Sequence, residues 1–284
     1  MREPLIVAVA QPLCLAHDVA ANARAHAAAI RAPEAAGARV VLFPELSLTG
    51  YELDADPVDP GDERLQPIVA ADTDTGTVAL AGAPVTGSPT ANVPVTGAST
   101  ANAPVTGVPA TGAPASDNSK KNGAPGVFIA VLVIDSGAVS VAYRKMWLGE
   151  EEARRFSPGP APAKLTVDGW RLGLAVCRET GVAQHAADTA ALGIDAYLAG
   201  TVMTPDEAEM QNERGRRIST GHHLWVALAS FAGPTGGGYD QTAGRSGIWA
   251  PDGTQVSAAG PRPGAVSRAL LTPGAVRADR KSVV

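Results

Sequence analysis

The sequence predicts a mixed α/β fold. Two observations carry that expectation. Short apolar runs bounded by Gly, Pro or Asp read as buried strands. Some of these runs are joined by Ala-rich helical segments and others by tight turns, so crossovers and hairpins alternate in one chain.

The run 5–10 is the first expected strand. Asp18 is placed to cap the helix that follows through Ile30. Pro33 should end it, because proline lacks an amide donor and clashes with the preceding turn. Gly37 then breaks to a second strand, 39–43. Both strands are apolar on both faces, the pattern of a sheet covered on both sides. A short helix is expected over 63–71 and a strand over 77–83. From Ala83 the chain repeats with a ten-residue period: APVTGSPTAN, VPVTGASTAN, then a degraded APVTGVPATG. This segment, about 87–125, is rich in Pro, Gly, Thr, Ser and Ala and has no aromatic residue. It cannot bury enough apolar surface to offset its ordering entropy, so a loose surface loop is expected, and its deletion should leave folding and activity intact. The remaining roughly 245 residues suffice for one large domain. The expected organisation is thus a single domain, 1–284, interrupted by that loop.

Regular structure resumes at 127–134. Asp135-Ser136-Gly137 is a turn signal leading into a strand over 138–143, which makes a hairpin. The runs 163–167 and 170–176, joined by Asp168-Gly169, make a second. A helix over 182–192 precedes a strand near 197–200. Pro205 opens a helix to about His222, followed by a strand over 225–231. Pro251-Asp252-Gly253 turns into an expected final ribbon of 254–258 with 266–271.

Composition excludes several classes. The net charge is −5, and Arg214-Gly215-Arg216-Arg217 is the single basic cluster, read as a solvated helix face. Nucleic-acid binding needs clustered cations and gains no support. No apolar stretch approaches the roughly 20 residues of a bilayer span. The first apolar segment is too short for a signal-peptide core. Cys14 and Cys177 are the sole cysteines, which argues against a disulfide framework and for a cytoplasmic setting.

Three strand ends carry chemistry. Cys177 closes the run Leu172-Gly173-Leu174-Ala175-Val176 and is followed by charged residues. A thiolate is the reactive form of cysteine and needs a base or a positive neighbour. The histidines, His17, His26, His185, His222 and His223, all fall in or beside predicted helices. Glu45 qualifies as the base if the apolar run before it raises its pKa; otherwise it is an exposed strand-end glutamate. Lys145 follows Tyr143-Arg144 at another strand end. The chain has five lysines and prefers arginine elsewhere. A compact ammonium there suits a developing oxyanion, although a solvated strand-end lysine is the alternative.

These residues spell a family. Phe43-Pro44-Glu45-Leu46-Ser47-Leu48-Thr49-Gly50-Tyr51 resembles the first motif of the nitrilase superfamily, the carbon–nitrogen hydrolases. Tyr143-Arg144-Lys145-Met146-Trp147-Leu148 resembles the second, and Leu174-Ala175-Val176-Cys177-Arg178-Glu179 the third. The resemblance runs from Ala8-Val9-Ala10-Gln11 to Ser246-Gly247-Ile248-Trp249-Ala250-Pro251-Asp252-Gly253, with the repeat outside it. It implies a four-layer αββα sandwich and a triad of Glu45, Lys145 and Cys177. It also implies a second glutamate ahead of an aromatic-x-Pro-Gly sequence. Among Glu150, Glu151 and Glu152, the spacing to Phe156-Ser157-Pro158-Gly159 favours Glu152. Tyr51, Trp147 and Arg178 are the candidate substrate-binding residues.

The resemblance implies a cysteine thioester mechanism on a small linear amide or carbamoyl compound, with water as co-substrate and no metal or organic cofactor. It further suggests a homodimer or larger homo-oligomer. A nitrile hydrolase and a catalytically silent binding protein on the same fold are the alternatives. Many members follow the cysteine with an aromatic residue, then Asp, then an Arg-Phe-Pro-Glu stretch. Here Arg178-Glu179-Thr180-Gly181 stands instead, so the pocket wall departs from that pattern. Arg178 either binds a substrate carboxylate or pairs with Glu179.

Overall fold

A computed structural model describes residues 2–88 and 126–273. In chain order its elements are β1 (Leu5–Gln11), α1 (Val19–Ile30), β2 (Val40–Leu42), α2 (Gln66–Thr75), β3 (Val78–Gly87), β4 (Gly126–Asp135) and β5 (Ala138–Arg144). There follow β6 (Ala163–Val167), β7 (Trp170–Val176), α3 (Ala183–Ala191), β8 (Ala196–Thr201), α4 (Ala208–His222) and β9 (Trp225–Ser230). The short strands β10 (Ala232–Gly233), β11 (Thr242–Ala243), β12 (Gly247–Trp249) and β13 (Gln255–Ala258) precede β14 (Ala265–Leu271). The first residues of the repeat, from Ala83, belong to β3, which runs on to Gly87, and the rest of it, from 89, lies outside the described residues.

Two six-stranded sheets result, in the orders β14-β1-β2-β3-β4-β5 and β13-β12-β9-β8-β7-β6. Strand β1 shows how they become inner layers. Val7 and Val9 join a core that also holds Leu172, Leu174 and Val176 of β7, so this core lies between the sheets. Ala8 and Ala10 point the other way, into a core shared with Ala23, Ala27 and Ile30 of α1. The outer face of the second sheet packs Tyr197 and Ala199 against Ala186 of α3 and Ile218 of α4. The architecture is therefore the four-layer αββα sandwich. Each buried Val or Leu contributes about 1.5–3 kcal/mol, and a strand apolar on both faces is used twice over.

The expected elements are present, with shifts at their ends. Asp18 caps α1, accepting from the Ala21 amide at 2.9 Å. The helix expected over 63–71 is a 3-10 turn, Glu63–Leu65, running into α2. Both predicted hairpins form. Ser136 (φ 53°) and Gly137 (φ 80°) turn the first, and Asp168 (φ 48°) and Gly169 (φ 77°) the second. Positive φ at both central residues gives the twist that hairpins need.

The final ribbon is different. β13 pairs with β12, whereas β14 crosses to the other sheet and pairs antiparallel with β1. The link 259–264 contains two prolines, which cannot donate to a ladder. Buried Gln11 at the end of β1 holds that link, donating to the carbonyls of Gly260 and Arg262 at 2.7 Å each. Among the described residues no helix is long and apolar enough to cross a membrane.

Candidate active site

Parallel strand β2 runs into Phe43-Pro44-Glu45, and the chain then turns sharply. Leu46, Gly50 and Tyr51 all have positive φ (49°, 67° and 63°). Gly50 is needed there, because a methyl group would collide with the backbone of Leu15 and Ala16. Glu45 itself threads between the sheets. A methyl group on Gly200 of β8 would lie 2.7 Å from the Glu45 nitrogen and the Phe43 oxygen. Gly82 of β3 makes the same kind of close approach from the other sheet.

His26 of α1 props this turn. It is fully buried, with Nδ1 2.7 Å from the Asn22 carbonyl and Nε2 2.8 Å from Ser47 Oγ. A carbonyl only accepts, so Nδ1 carries the proton and Nε2 accepts from the serine hydroxyl. Burial lowers the His26 pKa to about 4, against a smaller opposing effect of the Asn22 bond.

Lys145 follows β5 and is 1 % exposed. Its Nζ donates to Glu45 Oε1 at 2.7 Å and to Glu152 Oε1 at 2.6 Å. Glu152 opens a 3-10 turn, and its Oε2 accepts from the Gly149 amide at 2.6 Å. Glu151 instead pairs with Arg154 on the surface, and Glu150 is exposed. One ammonium thus lies between two buried carboxylates.

Electrostatics divides the roles. Burial raises the Glu45 pKa to about 7, opposed by the Lys145 charge. The second oxygen, Oε2, is buried and has no hydrogen-bond partner among the described residues. Burial lowers the Lys145 pKa, but the charges of Glu45 and Glu152 outweigh it and the net shift is upward. The ammonium is therefore firmly cationic.

Cys177 directly follows β7 and starts a 3-10 turn, Cys177–Gly181, at a φ of 38°. Positive φ in a non-glycine residue costs energy and is held only where the surroundings dictate it. The thiol donates to the Val202 carbonyl at 3.5 Å. Burial raises its pKa, as does the Glu45 charge, while Lys145 lowers it. The Glu45 charge acts on the thiol, so the two side chains belong to one electrostatic cluster. At rest this site holds a thiol beside a carboxylate, not a free thiolate.

The structure sets Tyr51 beside this cluster: it is 8 % exposed, and its pKa is raised by burial first and then by the charges of Glu45 and Cys177. Its ring meets Phe231 and Tyr239 edge-on at 5.9 and 5.4 Å. Trp147 is partly buried, and its Nε1 has no partner among the described residues. Arg178 is exposed. It does not pair with Glu179, whose oxygens are occupied by other donors deep in the core. The basic cluster on α4 is only partly a solvated face. Arg216 pairs with Glu213, but Arg217 donates to the Thr180 carbonyl at 3.0 Å and Arg214 to Thr180 Oγ1 at 3.4 Å. Both brace the turn that carries Cys177.

Sequence reasoning missed Tyr239, which lies on the loop between β10 and β11. That loop latches to the Tyr51 turn: Gly236 N and Thr235 Oγ1 both donate to Gly50 O, at 2.7 and 2.9 Å. The glycine run Gly236-Gly237-Gly238 before Tyr239 was the available signal. The one His and carboxylate group with metal-like spacing among the described residues is His17, Glu52 and Asp54. It lies toward the surface, with the His17 and Asp54 side chains more than half exposed.

The carbon–nitrogen hydrolase profile matches residues 6–281. Among solved structures, a cysteine-to-alanine mutant of the Nesterenkonia AN1 amidase from the nitrilase superfamily is similar in fold. It has a TM-score of 0.72 and 20 % identity over 95 % of this chain and 92 % of that one. The same amidase mutant in complex with butyramide aligns with a TM-score of 0.72, at 22 % identity over 95 % and 91 %. Saccharomyces cerevisiae Nit3, a member of branch 10 of the superfamily, gives 0.73 and 17 % identity over 95 % and 91 %. No curated protein matches the chain.

Proposed function

This chain belongs to the carbon–nitrogen hydrolase family, and from that premise we propose that it hydrolyses a small linear amide or carbamoyl compound through a Cys177 thioester. The observation that carries the reading is the pairing of Glu45 Oε1 with Lys145 while the buried Glu45 Oε2 has no hydrogen-bond partner among the described residues and stays open to accept a proton. A base needs an open acceptor and a pKa near the working pH, and burial supplies both.

In this reading Glu45 takes the thiol proton as Cys177 attacks the carbonyl carbon. The carbonyl electrons move onto oxygen. Lys145 has three N–H donors, two of them committed to carboxylates, so one remains for that oxyanion. The Arg178 amide, at the start of the 3-10 turn, is the second donor. Collapse breaks the C–N bond, and Glu45 returns its proton to the leaving nitrogen. Water then attacks the thioester, giving its proton to Glu45, which passes it to the departing sulfur. Glu152 holds Lys145 throughout. The products are a carboxylic acid and ammonia, or carbamic acid and an amine if a carbamoyl group is the acyl part. The butyramide complex of the similar amidase supports a short, uncharged substrate, as do Tyr51, Trp147 and Phe231 on the apolar side of the cluster. A cytoplasmic setting would keep the thiol reduced, and a homodimer or larger assembly is to be read by light scattering.

An ammonia-release screen over short amides, ureido acids and nitriles tests this, with Cys177→Ala as control. Release from amides that vanishes in the control is expected. Release from nitriles alone would move the assignment to nitrile hydrolysis, and no release at all would favour a binding protein.

A further inference from the structure

Glu179 is fully buried, and the mechanism above does not use it. Its Oε1 accepts from Tyr143 OH at 2.7 Å, the Met146 amide at 2.7 Å and the Trp147 amide at 3.1 Å. Its Oε2 accepts from the Val176 amide at 2.7 Å. Met146 and Trp147 directly follow Lys145, and Val176 directly precedes Cys177. One carboxylate therefore grips the peptides beside both reacting side chains, which come from different sheets.

The carboxylate is itself held. Tyr143 gives its proton to Glu179, so its oxygen must accept from His185 Nε2, 2.9 Å away. His185 Nδ1 is then the acceptor for Tyr197 OH, also at 2.9 Å. Tyr143, His185 and Tyr197 are all fully buried. Each hydroxyl and ring nitrogen in this series has one defined role, and the hydrogen bonds run in one direction toward Glu179. Such chains polarise one another and fix geometry.

We propose that Glu179 is the positioning residue of this site: it holds Lys145 and Cys177 in mutual register, and the Tyr143–His185–Tyr197 chain keeps it oriented for that task. The inference rests on the assignment of Cys177 and Lys145 as reacting groups. A carboxylate is required because the groups facing it are donors: the Tyr143 hydroxyl, three backbone amides and, 3.6 Å from Oε2, His185 Nε2. Glu179→Gln keeps the size but turns an NH₂ group toward a backbone N–H, so one grip is lost to donor–donor repulsion. Glu179→Asp keeps the charge and loses reach.

The test measures amide hydrolysis and the pH dependence of Cys177 alkylation by iodoacetamide, followed by intact mass. It uses variants that give a native circular dichroism spectrum at the assay temperature. Glu179→Gln should lower kcat by about 10- to 100-fold with KM within about twofold, the range seen for groups that orient others. Its alkylation profile should move from the wild-type one. Glu179→Asp should recover part of the kcat. Tyr143→Phe, which removes one donor and keeps the ring, should cost less, about 3- to 10-fold, the worth of one net hydrogen bond, and decides the matter if Glu179→Gln does not fold. Wild-type kcat and a wild-type alkylation profile in folded Glu179→Gln or Tyr143→Phe would overturn the proposal. If the wild type hydrolyses nothing in the screen, yet the variants still shift the alkylation profile, positioning stands and the amidohydrolase reading falls.

Discussion

Glu45 and Glu179 are both carboxylates at almost complete burial, yet they are wired in opposite ways. Glu179 accepts four hydrogen bonds, all from backbone amides and a tyrosine. Glu45 has one oxygen on Lys145, and the other has no hydrogen-bond partner among the described residues. A buried acceptor without a partner costs about 1–3 kcal/mol, and proteins keep such a group where it does work. A fully bonded carboxylate fixes geometry. An incompletely bonded one, lifted to about pH 7 by its surroundings, can exchange a proton with a thiol. Burial alone does not distinguish the two; the number and charge of the donors does.

The hardest test of that contrast removes the proposed reacting groups. Cys177→Ala and Glu45→Gln should each lower kcat by on the order of 10⁴-fold or more, read as ammonia release under saturating amide. Residual activity near the wild-type level in Glu45→Gln would erase the distinction between the two carboxylates. Lys145→Met should act on stability as well. It leaves Glu45 and Glu152 buried and facing each other without their cation, a loss of about 3–5 kcal/mol. Urea melts at pH 8 would show it, and the deficit should shrink at pH 5, where the carboxylates can protonate. A Lys145→Met protein as stable as wild type at pH 8 would mean that water, not the ammonium, solvates these groups.

A smaller effect lies in the pH profile. Burial raises Glu45 from the ordinary carboxylate range to about 7. The base form therefore predominates above that pH, and kcat/KM should rise through an acidic limb centred near 7. For stability the sign is opposite. The folded state keeps the Glu45 proton between about pH 4.5 and 7, where the unfolded chain has lost it, so the stabilisation from this group is full below 4.5 and fades as pH rises through 7. Glu45→Gln should flatten that slope. An acidic limb near 4.5 would place Glu45 in water and return it to the company of ordinary surface glutamates.

Much of this was legible in the sequence. Strands apolar on both faces announced covered sheets, and β1 delivers Val7 and Val9 to one core and Ala8 and Ala10 to the other. Glu45, Lys145 and Cys177 were visible as polar residues closing apolar runs, and the Phe156-Ser157-Pro158-Gly159 spacing pointed to the glutamate that contacts Lys145. Glu179 was not legible in its present role. In the sequence it stood only as one of two alternative partners for Arg178, because its four donors come from 3 to 36 positions away in the chain. His26 and His185 were set aside for lying on helices, and both turn out to brace a site segment from a helix, at Ser47 and Tyr143. The strand exchange by β14 was hidden for the same reason: it depends on Gln11, some 250 residues from the carbonyls it holds.

The contrast between the two carboxylates assumes that both clusters are complete without the repeat. The register supports this. Gly87 and Gly126 are directly paired at the ends of β3 and β4, so a two-residue Asn-Gly turn can close the hairpin in place of 88–125. None of Glu45, Lys145, Glu152, Cys177 or Glu179 lies in the excised stretch. Closing a long loop costs only slowly growing entropy, so shortening it should leave the melting temperature equal or slightly higher. The expected kcat/KM is within about twofold of wild type, as for changes remote from packed or bonded groups. A larger fall in kcat/KM with an unchanged melting temperature would mean that the excised segment supplies part of the substrate pocket. Glu45 would then owe its raised pKa in part to a wall that neither sheet provides, and its difference from Glu179 would lie in what covers it as well as in what donates to it.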